Sequence, residues 1–290
     1  MTAESVMVKE ESRRSPVTDA KHRPGFQTSA TVALTIAGSD CSAGAGLQAD
    51  LKTFSALGVF GLTAVTCVVA EVPGKVLRID GVDPQNVREQ IELCLANFPV
   101  RAIKTGLLYS PEVVEVVADV LEKFRHIPLV VDPVMIATGG DALLQPAAVA
   151  TYGARLFPRA TLVTPNMAEV AALTGQPVSN REEMRIAGEQ LVREFGTRFL
   201  LKGGHLRDGD ATDLLFGGTA VAEFSQPFVA GVSTHGTGCT YSAAIAARLS
   251  LGDELEEAIA RAKDFVTRAI GEHFAWQNSL GTIHALNHLL

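Results

Sequence analysis

Cysteine is scarce in this chain. The four present, Cys41, Cys67, Cys94 and Cys239, form no CxxC pair and no zinc-like spacing. That excludes a disulfide-stapled secreted scaffold and a cysteine zinc site, and leaves reduced thiols in a cytoplasmic protein as the expectation. Positive charge is also short: 25 Lys and Arg stand against 32 Asp and Glu, for a net charge of -7. An acidic balance argues against a nucleic-acid or anionic-membrane partner. No apolar run approaches the ~18 residues of a membrane span, and the N-terminus lacks an apolar signal core. Internal repeats and low-complexity segments are missing as well.

What is there is a 290-residue chain, 47% hydrophobic and 20% charged, long enough to bury a large core. Residues 1–28 carry mixed charges, two prolines and few aliphatics, and are expected to be a disordered tail. Residues 29–290 are expected to form one domain, with order starting at "TVALTIAG". Extended runs then alternate with helical patterns. The strand candidates are 31–37, 62–70, 101–104, 128–131, 161–164 and 198–201. Leu47, Leu51, Phe54 and Leu57 repeat at helical spacing, as do Val87, Ile91, Leu95 and Phe98. "TDLLF" and "AVAEF", joined by "GGT", predict one hairpin, and Leu255, Ile259, Ala262, Val266 and Ile270 a late helix. Near-continuous apolar strands separated by amphipathic helices predict an α/β fold with a mostly parallel sheet covered on both faces.

Ligands of such sheets bind beyond the carboxyl ends of the strands. Polar residues collect at those ends: Ser39-Asp40, Glu71, Lys104-Thr105, Asp132, Thr164-Pro165-Asn166 and Lys202 with the glycines and His205 after it. "GVSTHGTGCTYSAAIAA" places Gly236 and Gly238 where a loop enters a helix. A helix N-terminus offers unpaired N–H groups and the positive end of the dipole, a setting for phosphate. Cys239 lies in the first turn, where the dipole favours a thiolate, so it is expected either to act as a base or to shape the floor of a site. His235 is the rival base, or a local cap.

Other motifs leave alternatives open. Gly44-Ala45-Gly46-Leu47-Gln48-Ala49 matches a dinucleotide fingerprint in form, but "SDCSA" separates it from the strand end at Gly38. Asn166 and Glu169 form either a capping box or a polar pair beside a hydrated Mg²⁺–phosphate cluster. Asp132 ends a buried strand and needs a metal, a lysine or water as partner. Lys202 ends another, with glycines that let a nucleotide approach.

As a set, these residues resemble the bacterial hydroxymethylpyrimidine/phosphomethylpyrimidine kinases of the ribokinase-like superfamily. The likeness rests on "LTIAGSDCSAGAGLQADLKTFSALGVFG", "KTGLL", "VVDPVM", "LVTPNMAEV", "LLKGGH" and "STHGTGCTYSAA", in that order. It implies a three-layer α/β/α sandwich, usually homodimeric, that phosphorylates a pyrimidine's hydroxymethyl group and then the monophosphate, using ATP and Mg²⁺. On matching positions, Gly38, Ala45, Asp50, Val69, Glu71 and Cys239 would line the pyrimidine pocket. Asp132, Asn166, Glu169, Lys202, Thr237 and Gly238 would serve ATP, Mg²⁺ and the moving phosphoryl group, with Gly236 completing the catalytic glycine motif. The family reads "AQNT" where this chain has Ala70-Glu71-Val72-Pro73. A glutamine offers a donor and an acceptor, whereas an ionised Glu71 only accepts. Either Glu71 or the ring then carries an extra proton, or the acceptor resembles pyridoxine. A silent ligand-binding homologue is the reading from another class.

Overall fold

The structure is a computed structural model that describes residues 30–135, 144, 146–204, 209–232, 235–278 and 281–290. The expected tail at 1–28 and the strand-end His205 lie outside the described residues. Eleven strands are described: β1 Val32–Asp40, β2 Phe60–Val72, β3 Lys75–Gly81, β4 Val100–Thr105, β5 Leu129–Val131, β6 Leu162–Val163, β7 Phe199–Lys202, β8 Asp210–Phe216, β9 Ala222–Pro227, β10 Phe274–Asn278 and β11 Gly281–Ala285. The α-helices are α1 Gly46–Ala56, α2 Pro84–Asn97, α3 Pro111–Leu121, α4 Pro146–Thr151, α5 Met167–Thr174, α6 Arg181–Phe195, α7 Thr237–Leu251 and α8 Leu255–Gly271.

Nine strands form one sheet in the order β3-β2-β1-β4-β5-β6-β7-β8-β9. The six from β2 to β7 run parallel, and antiparallel pairings finish both edges. The strand period of two splits each central strand between two cores. Leu34, Ile103, Leu129, Val131, Val163 and Phe199 face one, packed with α2, α3, α5 and α6. Ala33, Ala102, Val130, Leu162 and Leu200 face the other, packed with α1, α7 and α8. This is the expected three-layer sandwich, formed by the compact unit Thr31–Leu290. Among the described residues, no helix is long and apolar enough to cross a membrane.

The expected hairpin is β8–β9, but it is not alone. β2 and β3 form a second around Pro73-Gly74, and β10–β11 a third. β3, β10 and β11 lack the continuous apolar run used to find the central strands: β3 is exposed or half-buried along its whole length. α7 lies against β4 and β5 on a face of alanines, with Ala243, Ala244, Ala246 and Ala247 fully buried. Small side chains let its axis approach the sheet closely, which brings its N-terminus to the strand ends. Gly252 stops it in the left-handed region, with φ 99°.

Candidate active site

A cavity of about 1110 Å³ opens along the carboxyl ends of β1, β2, β4, β5 and β7. On one wall stands the N-terminus of α7. Gly236 caps it with φ 82° and without a side-chain hydrogen bond, and its carbonyl accepts the Thr240 amide. Among the described residues, the amides of Thr237, Gly238 and Cys239 donate to no protein acceptor. Thr237 Oγ1 is buried and without a partner too. Unsatisfied donors this concentrated require a ligand or water, and the dipole selects an anion.

Two glycines keep this wall open. A Cβ on Gly238 would meet Lys202 Nζ at 3.1 Å and Asp132 Oδ2 at 3.8 Å, so the ammonium and the carboxylate crowd the cradle directly. A Cβ on Gly236 would fall 1.8 Å from the Gly44 carbonyl oxygen.

Asp132 follows β5, 2% exposed. Lys202 Nζ donates to its Oδ1 at 2.9 Å and Ser242 Oγ to its Oδ2 at 3.2 Å. Burial pushes its carboxyl up, but Lys202, Lys104 and Ser242 outweigh burial and hold it below the ordinary range. Lys202 is held above its usual value by Asp132 and Glu169 in spite of burial. Asn166 and Glu169 form the capping box of α5, each bonded to the other's amide at 2.8 to 3.0 Å. Burial first, and then the Asp132 charge, push the Glu169 carboxyl up to about 8 even with Lys202 nearby.

Mg²⁺ can be tested against these donors. Among the described residues, no group of three or more His, Cys, Asp or Glu side chains could hold a metal by itself. Both Asp132 oxygens are engaged, and Asn166 Oδ1 is spent on the cap. The set therefore fits a largely hydrated Mg²⁺ shared with phosphate oxygens, the manner in which this ion commonly binds nucleotides.

The opposite wall is built by β1, β2 and the loop between β1 and α1. Gly38, Ala45, Val69 and Glu71 line it. A Cβ on Gly38 would sit 2.7 Å from Cys67 Sγ. Glu71 is half-buried; burial and then Asp40 push its carboxyl above the usual range, against the pull of His235. Its carbonyl accepts the Cys41 thiol at 3.1 Å. Asp50 is placed elsewhere. It lies fully buried behind the wall, where Lys104 Nζ bonds both carboxylate oxygens at 2.8 and 2.9 Å and Thr35 Oγ1 donates at 2.6 Å. It supports the pocket and does not line it.

Cys239 lies between the walls, partly exposed to the cavity. Its thiol shifts opposite to the direction expected from the helix N-terminus. Burial pushes it up to about 12; Lys104 pulls down, while Asp132 and Asp50 push further up. In the ligand-free protein, burial and these two carboxylates favour the neutral thiol. His235 reaches across the site: its Nε2 pairs with Asp40 Oδ2 at 3.2 Å.

The fingerprint-like glycines do not hold a dinucleotide. The amides of Ser42, Gly44 and Ala45, which a pyrophosphate would need, donate to Asp40. Sequence reasoning marked Asp40 and Lys104 only as polar strand ends. The partners that they reach across the fold, His235 and Asp50, lie 195 and 54 residues away, and no local signal joins those pairs. Ser242 and the buried Lys263–Asp213 pair, bonded at 2.6 Å at the far end of the cavity, went unnoticed for the same reason.

With this geometry in hand, the comparisons are specific. The family model described as phosphomethylpyrimidine kinase matches residues 40–284. The thiamine biosynthesis bifunctional protein of Geobacter sulfurreducens is 45% identical over 258 residues, 89% of this chain, which spans about half (52%) of that protein. The hydroxymethylpyrimidine/phosphomethylpyrimidine kinase of Bacillus subtilis is 40% identical over 86% of this chain and 90% of its own length. Among solved structures, Bacillus subtilis pyridoxal kinase with ADP superposes with a TM-score of 0.82 at 35% identity, covering 90% of this chain and 98% of that one. Phosphomethylpyrimidine kinase from Clostridium difficile gives 0.72 at 38% identity, covering 82% and 99%. A family-model match over residues 40–284, with 40% identity to a kinase covered over 90% of its length, makes this chain a member of the phosphomethylpyrimidine kinase family.

Proposed function

We propose that this chain transfers the γ-phosphoryl group of ATP to the hydroxymethyl group of 4-amino-5-hydroxymethyl-2-methylpyrimidine, and then to the resulting monophosphate. The observation that carries this reading is the open N-terminus of α7, with three amides and the Thr237 hydroxyl unpartnered, beside Lys202 and Asp132. Phosphoryl transfer asks a protein for positioning and charge stabilisation, and both are built here. The amides hold the equatorial oxygens of the transferring group, and Lys202 supplies a fixed positive charge beside them. Asp132, with Glu169 behind it, would hold Mg²⁺ through water; the ion would offset triphosphate charge. The cavity continues past Ala211, Phe228, Val229 and Val266, apolar side chains suited to a flat base.

The acceptor ring belongs against Gly38, Ala45, Val69 and Glu71. A protonated Glu71 offers one donor and one acceptor, as a glutamine would, and its raised carboxyl pKa favours that form. Cys239, as a neutral thiol, supplies the floor and a weak donor and does not begin as a base. The second transfer needs none, because the attacking phosphate oxygen is already anionic. The homodimer typical of the family is part of the proposal and is checked by sedimentation velocity.

The test is ADP formation with the pyrimidine alcohol, its monophosphate and pyridoxal as separate acceptors. Turnover on both pyrimidines supports the reading; turnover on neither overturns it. Phosphorylation of pyridoxal is the second reading, favoured by the higher TM-score with pyridoxal kinase. A kcat/KM for pyridoxal above that for the alcohol would establish it.

A further inference from the structure

Transfer requires the acceptor oxygen and the phosphorus to lie within about 3.5 Å of each other and in line. The two groups rest on different segments. The acceptor wall belongs to the loop after β1, and the phosphoryl cradle to the first turn of α7 and the loop that enters it. Something must hold those loops in register.

We infer that Asp40 and His235 form a clamp that sets the distance between acceptor and phosphoryl group; they are positioning residues. The clamp deepens the phosphoryl-transfer reading above and rests on it for its kinetic consequence. Asp40 closes β1, 1% exposed, and its carboxylate organises the whole acceptor loop. Oδ1 accepts the Ser42 amide at 2.7 Å; Oδ2 accepts the Gly44 and Ala45 amides at 3.1 and 2.8 Å and the Ser42 hydroxyl at 3.0 Å. The remaining partner of Oδ2 is His235 Nε2, at 3.2 Å, from the residue directly before the cap of α7.

Packing makes the pair a register and not merely a tether. The His235 ring lies against Gly44, where an added Cβ would meet Cδ2 at 2.8 Å, and Gly236 lies against the Gly44 carbonyl. A slip of either loop breaks the hydrogen bond and collides at two glycines. The carboxylate and the imidazole are both buried, so water competes little for the bond. His235 thus connects the wall that holds the acceptor to the amides that hold the transferring group.

The test compares His235→Gln, which keeps an N–H donor, with His235→Leu, which keeps bulk alone. Steady-state kinetics are read on the pyrimidine alcohol, and amide hydrogen exchange is read over residues 41–46. The leucine variant is expected to lose about 100-fold in kcat, the scale of an ångström-sized misplacement, with KM for ATP nearly unchanged. Its 41–46 amides should exchange faster, and His235→Gln should recover most of both effects. Equal losses in the two variants, or a raised KM for ATP with kcat intact, would overturn the clamp. If the wild type transfers phosphoryl to no acceptor, the functional reading fails; exchange at 41–46 still decides the clamp, and unchanged exchange in the leucine variant refutes it.

Discussion

Replacing Gly236 by alanine perturbs the site at one atom, and the structure fixes what that atom meets. The new Cβ would sit 1.8 Å from the Gly44 carbonyl oxygen, 2.7 Å from its carbon and 3.3 Å from Ala45 Cα, all main-chain atoms that no rotamer can move aside. Real Cβ contacts stay beyond 3.0 Å, so the two loops must part by about 1.2 Å, the difference between 3.0 and 1.8 Å. A displacement of that size between acceptor and phosphoryl group costs about 100-fold in kcat/KM. The left-handed φ of 82° adds about 1–2 kcal/mol of strain for any residue with a Cβ. Gly252, at the other end of the same helix, separates the two effects. Its φ is 99°, but an added Cβ there meets nothing within 4 Å. Gly252→Ala should therefore lose stability by a similar strain and keep its kinetics. The assay is steady-state ADP formation together with urea unfolding of both variants. A Gly236→Ala enzyme within tenfold of wild type, or a Gly252→Ala enzyme equally crippled, would refute the argument that close loop approach, and not backbone strain, governs turnover.

Three further outcomes are expected. Brief alkylation at pH 7, followed by peptide mass spectrometry, should label exposed Cys41 well before Cys239, whose thiol burial pushes up to about 12, and before buried Cys67, pushed up to about 11; rapid labelling of Cys239 would restore the thiolate reading. Lys104→Met leaves the Asp50 carboxylate buried without its cation and should cost about 3–5 kcal/mol by urea unfolding, a large part of it recovered by adding Asp50→Leu. Glu169 binds its proton more tightly in the folded chain than in the unfolded one, so its contribution is complete below the ordinary carboxylate value of 4.5 and is lost as pH rises through about 8. The unfolding midpoint of the ligand-free protein should fall from pH 5 to pH 8, with a shallower fall in Glu169→Gln; parallel slopes in the two proteins contradict this.

The central strands were legible because burial on both faces writes itself as continuous apolar runs, and α7 because glycines bracket a run of small helix formers. The capping box was legible for the same local reason, three residues apart. β3 was not, since a half-exposed edge strand carries no such run. Cys239 shows the limit most plainly. Its place in the first helical turn argued for a lowered pKa, yet burial, Asp132 and Asp50 set the opposite direction, and nothing near Cys239 in sequence announces them.

By itself, then, the sequence determined the layered α/β architecture, the edge of the sheet at which polar groups gather and the glycine-bounded start of α7. These follow from periodicity and backbone geometry, which act over a few residues. Only the tertiary structure decided that Asp50 stands behind the wall on Lys104, that His235 holds Asp40, and in which direction each buried carboxyl group shifts. Those outcomes depend on burial and on charges brought together from 54 to 195 residues away, and electrostatics in a dry interior answers to distance in space.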